Sequence, residues 1–278
     1  MAALHFDDSG LENMKRARWE KIQQGEFSYH LAKDETRVLD LNLPYWRSLL
    51  AVLPAQVHFG PDTRILDLGC GGCGILLAID QGKLVGVDPL MERYLKKFPF
   101  LSARRDIQWI QAAAEELEIA ERFDIVFSIN ALDHVYDPAR VVRQIERLLR
   151  PGGHVVLTMN CHNTRLFRAY YSKLYWAIDS HHPYQFTPAD VRKLFFQFTP
   201  VESRPIDDLW FPHAANYYRE VLGRPLDDPK KWLRAAANPL KWPMGFCKVV
   251  LDMPPHPKRP GQRSIYGNYL FVFRSAFK

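Results

Sequence analysis

The sequence has little cysteine and lacks long apolar runs. Its four cysteines, at positions 70, 73, 161 and 247, are too few and too unevenly spaced for a disulfide framework, which agrees with a reducing compartment. No segment approaches the roughly 18 consecutive apolar residues of a membrane span. The N-terminal residues carry mixed charges and no apolar signal region, so we expect a cytoplasmic protein without a membrane span.

Internal repeats and low-complexity segments are also absent, which argues against a tandem array or a disordered chain. The 278 residues are 47% hydrophobic and 24% charged, enough for one large domain or one domain with an insertion. The net charge of +6 is uneven, because residues 1–160 carry −3, residues 161–207 carry +2 and residues 208–278 carry +7. The basic C-terminal quarter indicates either an anionic partner or substrate, or an ordinary solvated surface.

Short β-branched segments alternate with helical patterns between residues 64 and 160, which is typical of βαβ units and a parallel sheet. The clearest helix follows Asp137, a good N-terminal cap, and Pro138, which suits the first helical position. The predicted strands are 64–68, 84–87, 107–110, 124–129, 154–159 and a last one at 268–277, with a further helix at 187–198 and a helical N-terminal region at 11–59.

A glycine-rich loop follows the first predicted strand. Gly69, Gly71 and Gly74 satisfy the spacing G-x-G-x-x-G before a helix that is predicted to begin near residue 75. Asp88 ends the second strand, where it can accept hydrogen bonds from both hydroxyls of an adenosine ribose. A nicotinamide site aims a helix N-terminus at a pyrophosphate and needs no acid before the first glycine. Asp67, just before that glycine, instead suits a ligand with an ammonium or sulfonium group.

Four motifs resemble the class I S-adenosylmethionine-dependent methyltransferases, specifically the small-molecule group that includes the ubiquinone- and menaquinone-type enzymes. The resemblance covers about residues 60–160 and, more weakly, the helix at 187–198 and the last strand. The motifs are Leu66-Asp67-Leu68-Gly69-Cys70-Gly71, Val85-Gly86-Val87-Asp88, Phe123-Asp124-Ile125-Val126-Phe127-Ser128 running into Asn130-Ala131-Leu132-Asp133-His134-Val135, and Leu148-Leu149-Arg150-Pro151-Gly152-Gly153.

The resemblance implies an α/β fold with a doubly wound, mostly parallel, seven-stranded Rossmann-like sheet and helical, aromatic lid insertions. The implied organisation is an N-terminal helical cap (1–59), a cofactor-binding core (60–160), a lid insertion (161–186), a core helix and strand (187–207), a basic and aromatic insertion (208–262) and the final core strand (263–278).

The implied cofactor is S-adenosylmethionine, with S-adenosylhomocysteine as product. Gly69 and Gly71 would pack on its methionine part and Asp88 would hold the ribose. The cofactor residues assigned in this way are Asp67, Gly69, Cys70, Gly71, Asp88, Pro89, Ala114, Glu115 and Asn130. The sequence departs from the family at Cys73, where glycine is usual, and at Ala113, where an acid is usual, so Glu115 or a backbone carbonyl is expected to accept from the adenine amino group.

Methyl transfer mainly requires alignment of nucleophile, methyl group and sulfur, and a base is needed only for hydroxyl, thiol or carbon nucleophiles. The candidate bases are His134, His162, His181 and His182, which follow predicted strands or precede the helix at 187–198. The candidate contacts to the methyl acceptor are Tyr29, Arg165, Arg168, Tyr171, Trp176, Tyr184 and Trp210, with the arginines pairing an anionic group and the aromatics excluding water.

Other functions stay open at this stage. The +7 C-terminal quarter with interleaved Trp and Tyr would suit RNA methylation. A cofactor-binding partner protein without turnover, or a homodimer, is also compatible with the motifs. Cys70 and Cys73 form C-x-x-C, but Cys161 and Cys247 supply no second pair, so we expect no metal site on the cysteines.

Overall fold

A seven-stranded sheet organises the part of the chain that the computed structural model describes, which is residues 8–31, 35–178, 182–220, 239–242 and 266–276. The strands are β1 Arg64–Leu68, β2 Lys83–Asp88, β3 Ile107–Gln111, β4 Phe123–Ile129, β5 Leu149–His162, β6 Thr199–Pro205 and β7 Tyr266–Arg274. Their order is β3-β2-β1-β4-β5-β7-β6, and β7 runs antiparallel to both of its neighbours. The predicted mostly parallel, seven-stranded sheet is confirmed.

Helices cover the sheet on both sides. They are α1 Asp8–Leu31, α2 Glu35–Ala51, α3 Met91–Lys97, α4 Pro99–Ala103, α5 Pro138–Leu148, α6 Arg165–Ile178, α7 Pro188–Leu194 and α8 Asp207–Glu220, with short 3₁₀ turns at Ile75–Ala78, Ala114–Glu116 and Pro239–Lys241. No helix within the described segments is long and apolar enough to cross a membrane.

Adjacent residues of the central strands face opposite helical layers, as the two-residue period of a strand requires. In β1, Leu66 packs in a core cluster that includes residues of α5 and α7, whereas Ile65 packs in a second cluster with residues of α2 and α3. Both side chains have no exposed surface. The central strands are therefore apolar on both faces, as expected for parallel strands between two helical layers.

Several predicted elements differ from the structure in their extent. The loop after β1 leads into the four-residue 3₁₀ turn Ile75–Ala78 and not into an α-helix. Strand β5 continues through His162, three residues beyond the predicted end, because it pairs with β7 along its whole C-terminal part. The last strand ends at Arg274 and α7 at Leu194. Most of the predicted insertion 208–262 lies outside the described residues, and the predicted domain boundaries stay predictions.

The strand order reverses between β1 and β4, the position at which ligands bind open α/β sheets. Helices α2 and α8 pack against each other beside this point, and α2 also packs on the turn Ile75–Ala78. The indole nitrogen Nε1 of Trp46 on α2 donates to the backbone carbonyl of Cys73, 3.0 Å away. The cap helices are thus attached to the loop at the reversal point.

Helix α5 gives a test of the local sequence rules. The Asp137 carboxylate accepts a 3.0 Å hydrogen bond from the backbone N–H of Arg140, and Pro138 occupies the first turn. Replacing Asp137 with alanine is expected to lower the free energy of unfolding by about 1 kcal/mol, because a backbone donor loses its partner. Urea denaturation measures this change. Asp137→Asn keeps a capping oxygen and is the control; an equal loss in both variants would contradict the capping role.

Candidate functional site

A cavity of about 350 Å³ lies at the carboxyl ends of β1, β2 and β4. Its floor is the glycine-rich loop, and its walls come from α1, α2, α8 and the segment that follows β4. This volume is within the usual range for small-molecule and cofactor sites, about 300–1,000 Å³. The cavity therefore coincides with the position that the strand order predicts for a ligand.

The glycine-rich loop needs its glycines for two different reasons. Gly69 has φ +76°, and a Cβ atom there would lie 2.5 Å from the Cβ of Ala131. Gly71 has φ +61°, but a Cβ atom there would meet nothing within 4 Å. The backbone N–H of Gly69 donates to the Val87 carbonyl at 2.8 Å, which fixes the loop to β2. The loop is thus closely packed at Gly69 and open to a ligand at Gly71.

Asp67 is a buried acid that faces this loop. Its side chain is 1% exposed, and neither carboxylate oxygen has a hydrogen-bond partner among the described residues. Burial, together with the nearby charge of Asp88, raises the pKa of Asp67 to about 7. A buried carboxylate without a partner is costly unless a ligand supplies a cation or donors. Asp67 therefore fits the cationic amino acid end of a sulfonium cofactor.

Asp88 ends β2 and connects it to the loop. Its Oδ2 accepts from the backbone N–H of Gly71 and its Oδ1 from that of Leu90, each at 2.9 Å. Burial raises the pKa of Asp88 to about 6, although these two hydrogen bonds oppose the shift. Each carboxylate oxygen keeps a second lone pair. Asp88 is thus held in place while still able to accept from two ribose hydroxyls.

Asn130 follows β4 in a left-handed conformation, with φ 49°. Asparagine tolerates this region better than most residues, but it is uncommon outside glycine. The backbone N–H of Asn130 donates to Thr158 at 3.0 Å, and its Oδ1 accepts from Asn268 at 3.1 Å. These contacts hold the backbone of Asn130 beside the glycine-rich loop.

All nine residues assigned to the cofactor line this one cavity. One detail of the assignment needs correction, because the Glu115 carboxylate already has partners. Its Oε1 accepts from the backbone N–H groups of Tyr136, at 2.7 Å, and Asp137, at 3.0 Å. Glu115 therefore supports the segment before α5, and a backbone carbonyl is the better candidate to accept from an adenine amino group.

The aromatic end of the cavity is lined by α2 and α8, and it adjoins the glycine-rich loop through Trp46. Trp46 and Asn42 of α2 face Trp210, His213 and Tyr217 of α8. Beneath them the ring of Tyr45 stacks on His213, with ring centroids 4.3 Å apart. This end could hold a flat ring and exclude water from it.

His213 is neutral at physiological pH. Burial lowers the pKa of its imidazole to about 4, against a smaller opposite effect of its hydrogen bond to the Leu41 backbone. A neutral imidazole that donates from one nitrogen presents a lone pair on the other. His213 can therefore accept a proton or a hydrogen bond from a group in the cavity.

The four histidines predicted as candidate bases have different surroundings. His134 lines the cavity, and the ring of His182 lies 4.4 Å from it, centroid to centroid. His181 lies outside the described residues. His162 is 2% exposed, its Nε2 lies 2.7 Å from the amide oxygen of Gln185, and it is not among the cavity-lining residues, so its role as a base stays a prediction. The extension of β5 carries it into the interior.

Of the residues predicted to contact the methyl acceptor, Trp210 lines the cavity. The side chains of Tyr29 and Trp176 lie outside the described part of the structure. The other four do not line the cavity, and their roles stay predictions: Arg165 is exposed, Arg168 binds Asp190 and the Gln185 carbonyl, Tyr171 packs on His162, and Tyr184 donates to the Tyr136 carbonyl.

The charge of the described cavity lining bears on the expected methyl acceptor, which the sequence leaves as anionic or aromatic. The described lining includes four acidic residues and no lysine or arginine. The acids are Glu26, Asp67, Asp88 and Glu115. A lining of this kind favours cationic and neutral ligands over anionic ones.

Sequence reasoning missed His213, Trp46 and the α1 residues Trp19, Gln23 and Glu26. The signal that could have found the α8 face is the spacing of Trp210, His213, Ala214 and Tyr217, which is i, i+3, i+4, i+7. Trp19, Gln23 and Glu26 share one helix face in the same way. Only the tertiary structure shows that both faces meet the glycine-rich loop.

The buried carboxyl group of Asp67 has a consequence for stability. Because its pKa is about 7 in the folded protein and 3.8 as a model value, its stabilising effect is complete below pH 4 and is lost as the pH rises through 7. Asp67→Asn is therefore expected to raise the free energy of unfolding of the ligand-free protein at pH 8, on the order of a few kcal/mol, and to change it little at pH 4.

Chemical denaturation at the two pH values measures this difference. Asp62→Asn is the matched control, since the Asp62 side chain is 95% exposed. A wild-type protein that is as stable as Asp67→Asn at pH 8 would show that Asp67 is not strained by burial.

Comparison with known proteins agrees with this geometry. Residues 66–157 match the family model described as a methyltransferase domain. The ubiquinone biosynthesis O-methyltransferase of Pseudomonas syringae pv. tomato is 34% identical over 113 residues, 37% of this chain and 47% of that protein. The enzyme of the same name from Serratia proteamaculans is 36% identical over 110 residues, 37% of this chain and 45% of that protein. The chain spans about half the length of these curated relatives.

Solved structures show the same fold at lower identity. Geranyl diphosphate C-methyltransferase from Streptomyces coelicolor A3(2), in complex with Mg²⁺, geranyl diphosphate and S-adenosylhomocysteine, has a TM-score of 0.58 at 13% identity over 87% of this chain and 84% of that one. Phosphoethanolamine N-methyltransferase 2 from Haemonchus contortus, in complex with S-adenosylmethionine, has a TM-score of 0.56 at 18% identity over 83% of this chain and 52% of that one. Together these matches confirm the resemblance that the sequence motifs indicated.

Proposed function

We propose that this chain, whose residues 66–157 form a class I methyltransferase domain, transfers a methyl group from S-adenosylmethionine to a hydroxyl group on a small, neutral, aromatic molecule. One observation carries this proposal: a single cavity joins a glycine-rich loop and a buried acid without a partner to an aromatic wall that contains a neutral histidine. The names of the ubiquinone O-methyltransferase relatives are consistent with a hydroxyl as the group methylated.

The cofactor end favours S-adenosylmethionine over a dinucleotide. The four-residue turn Ile75–Ala78 offers no α-helix N-terminus to a pyrophosphate. Asp67 instead offers two buried carboxylate oxygens to the ammonium end of the cofactor, and Asp88 offers lone pairs to its ribose. Gly71 leaves room for the cofactor to lie directly on the backbone.

S-adenosylmethionine supplies a methyl group on a sulfonium, which is a good leaving group. The protein must then hold the hydroxyl oxygen in line with that methyl group and keep water out. The rings of Trp46, Trp210 and Tyr217 form the wall against which a flat methyl acceptor would stack. The absence of lysine and arginine from the described lining favours a neutral ring over an anionic one.

His213 takes the proton in this proposal. Its free ring nitrogen accepts a hydrogen bond from the hydroxyl, which orients the oxygen lone pair toward the methyl group. When the methyl group is transferred from sulfur to the hydroxyl oxygen, His213 would take up the hydroxyl proton. The products are a methyl ether and S-adenosylhomocysteine, and the proton on His213 returns to solvent. Its lowered pKa keeps the imidazole unprotonated before each turnover.

The test of the function is to incubate the purified protein with methyl-labelled S-adenosylmethionine and a cell extract, and to separate the labelled products by size. We expect label in the small-molecule fraction, because the cavity is enclosed by three helices. Asp88→Ala should abolish this label, and Asp62→Asn should retain it. Label in RNA or protein, or none with cofactor bound, would contradict the proposal and favour the macromolecular or non-catalytic alternative.

The role of His213 gives a second prediction. Once the methyl acceptor is known, His213→Ala should lower kcat at least about a hundredfold, the usual contribution of a positioned base. The affinity for S-adenosylmethionine, measured by calorimetry, should change little, because His213 lies at the aromatic end. His58→Ala, at an exposed position, is the control. Unchanged turnover in His213→Ala would remove it as the base.

The cytoplasmic location and the homodimer that the sequence suggests stay predictions.

A further inference from the structure

Strand β7 carries a buried asparagine that is hydrogen-bonded to two elements of the cavity wall. Asn268 has no exposed surface, and its hydrogen bonds reach Asn130, after β4, and Asp207, at the start of α8. We propose that Asn268 is a positioning residue for methyl transfer, which holds the cofactor end and the aromatic end of the cavity in a fixed relation. This inference rests on the function proposed above, and it concerns a residue that is not among those lining the cavity.

The side chain of Asn268 supports the cofactor end. Its amide nitrogen Nδ2 donates to Oδ1 of Asn130 at 3.1 Å and to Oδ1 of Asn160 at 3.0 Å. Asn130 lines the cavity in a left-handed conformation, with φ 49°. This conformation costs energy in a residue that has a side chain, so it persists where the surrounding contacts fix it. The bond from Asn268 is one of those contacts, because it holds the side chain of Asn130 away from the glycine-rich loop.

The backbone of Asn268 supports the aromatic end. Its N–H donates to Oδ1 of Asp207, and its carbonyl accepts from the N–H of Ile206, each at 2.8 Å. Asp207 is the first residue of α8, the helix that carries Trp210 and His213. These two bonds attach the start of α8 to β7. The wall that would hold the methyl acceptor is thereby fixed to the same residue that holds Asn130.

Strand β7 departs from good strand packing at the residues that form this network. Leu270 and Val272, at alternate positions after Asn268, are fully buried in one apolar cluster. The Asn268 amide at that face has a buried Oδ1 without a hydrogen-bond partner in the described part of the chain. A Cβ atom on Gly267 would lie 2.8 Å from Oδ2 of Asp207, so glycine leaves room for the carboxylate. Both residues cost stability in a strand, which is typical of positions under a functional constraint.

Methyl transfer explains why the two ends need a common attachment. The methyl group comes from the cofactor end, whereas α8 supplies the aromatic wall and His213 for the methyl acceptor. A displacement of about 1 Å between reacting groups can lower a rate about a hundredfold. Asn268 would prevent such a displacement by acting through Asn130 and Asp207.

The first experiment measures the affinity of the full-length protein for S-adenosylhomocysteine by calorimetry, which needs no methyl acceptor. Asn268→Leu should weaken binding about tenfold, because Asn130 loses its bond. Asn130→Gly adopts a positive φ without that bond, so adding Asn268→Leu to it should weaken binding no further. Asn160→Ala is the matched control, since it removes the other partner of Asn268, and its affinity should stay within about threefold of the wild type.

The second experiment follows label transfer from saturating S-adenosylmethionine into the small-molecule fraction of a cell extract. Asp207→Ala should lower the initial rate about a hundredfold, because α8 loses its attachment, and should change the S-adenosylhomocysteine affinity less than about threefold. Asp207→Asn keeps an oxygen that accepts from the N–H of Asn268, so it should retain most of the rate. This rescue, and the separation of rate from affinity, would not follow from a general loss of structure.

Circular dichroism confirms that each variant is folded, and Asn268→Ala replaces Asn268→Leu if the latter is not. Wild-type affinity in the Asn268 variant, or additive losses in the double variant, would overturn the proposal. Equal rates in Asp207→Ala and Asp207→Asn would also overturn it. A wild-type protein that binds S-adenosylhomocysteine but transfers no label would contradict the proposed function alone, because the affinity cycle still measures the bond between Asn268 and Asn130.

Discussion

The burial of the Asp67 carboxyl group at the end of β1 is the constraint on which the site depends. The strand must be apolar to lie between two helical layers, yet it ends in an acid whose two oxygens have no hydrogen-bond partner among the described residues. The loop that follows adopts left-handed backbone conformations at Gly69 and Gly71, and it leaves open space at Gly71. The ionised Asp67 carboxylate thus lowers the stability of the ligand-free protein above neutral pH, and a cationic ligand bound beside it would restore that stability.

The position of the aromatic end also depends on the glycine-rich loop, although α2 and α8 supply its side chains. Trp46 holds α2 to the carbonyl of Cys73, so the helix that supplies one wall is fixed to the loop that carries the cofactor residues. The stack of Tyr45 on His213 then fixes α8 to α2. These contacts therefore fix the loop relative to β1, α2 relative to the loop, and His213 relative to α2. A shift of any one step would move the methyl acceptor relative to the methyl group, and methyl transfer is sensitive to such displacements.

The cofactor end could be predicted from sequence because its residues are local to two strand ends. Asp67, Gly69 and Gly71 lie within five residues, and Asp88 ends the neighbouring strand, so spacing alone brings them together. His213 could not be assigned in this way, because the helical spacing of residues in α8 does not identify the part of the protein against which that helix packs. His162 was expected just after a strand, but β5 continues three residues farther than its β-branched run, owing to its pairing with β7. That pairing places the ring in the interior beside Gln185.

The acidic residues of the cavity determine which ligand charges it favours. Asp67, Asp88 and Glu26 place negative charge around one volume, and the described lining contains no lysine or arginine to balance them. Burial raises the pKa of both strand-end acids, with a smaller contribution from a neighbouring like charge, Asp88 for Asp67 and Glu26 for Asp88. A sulfonium cofactor with an ammonium group would neutralise the first two acids. In the proposed reaction, the uncharged His213 is then the group that would receive the proton of the methyl acceptor.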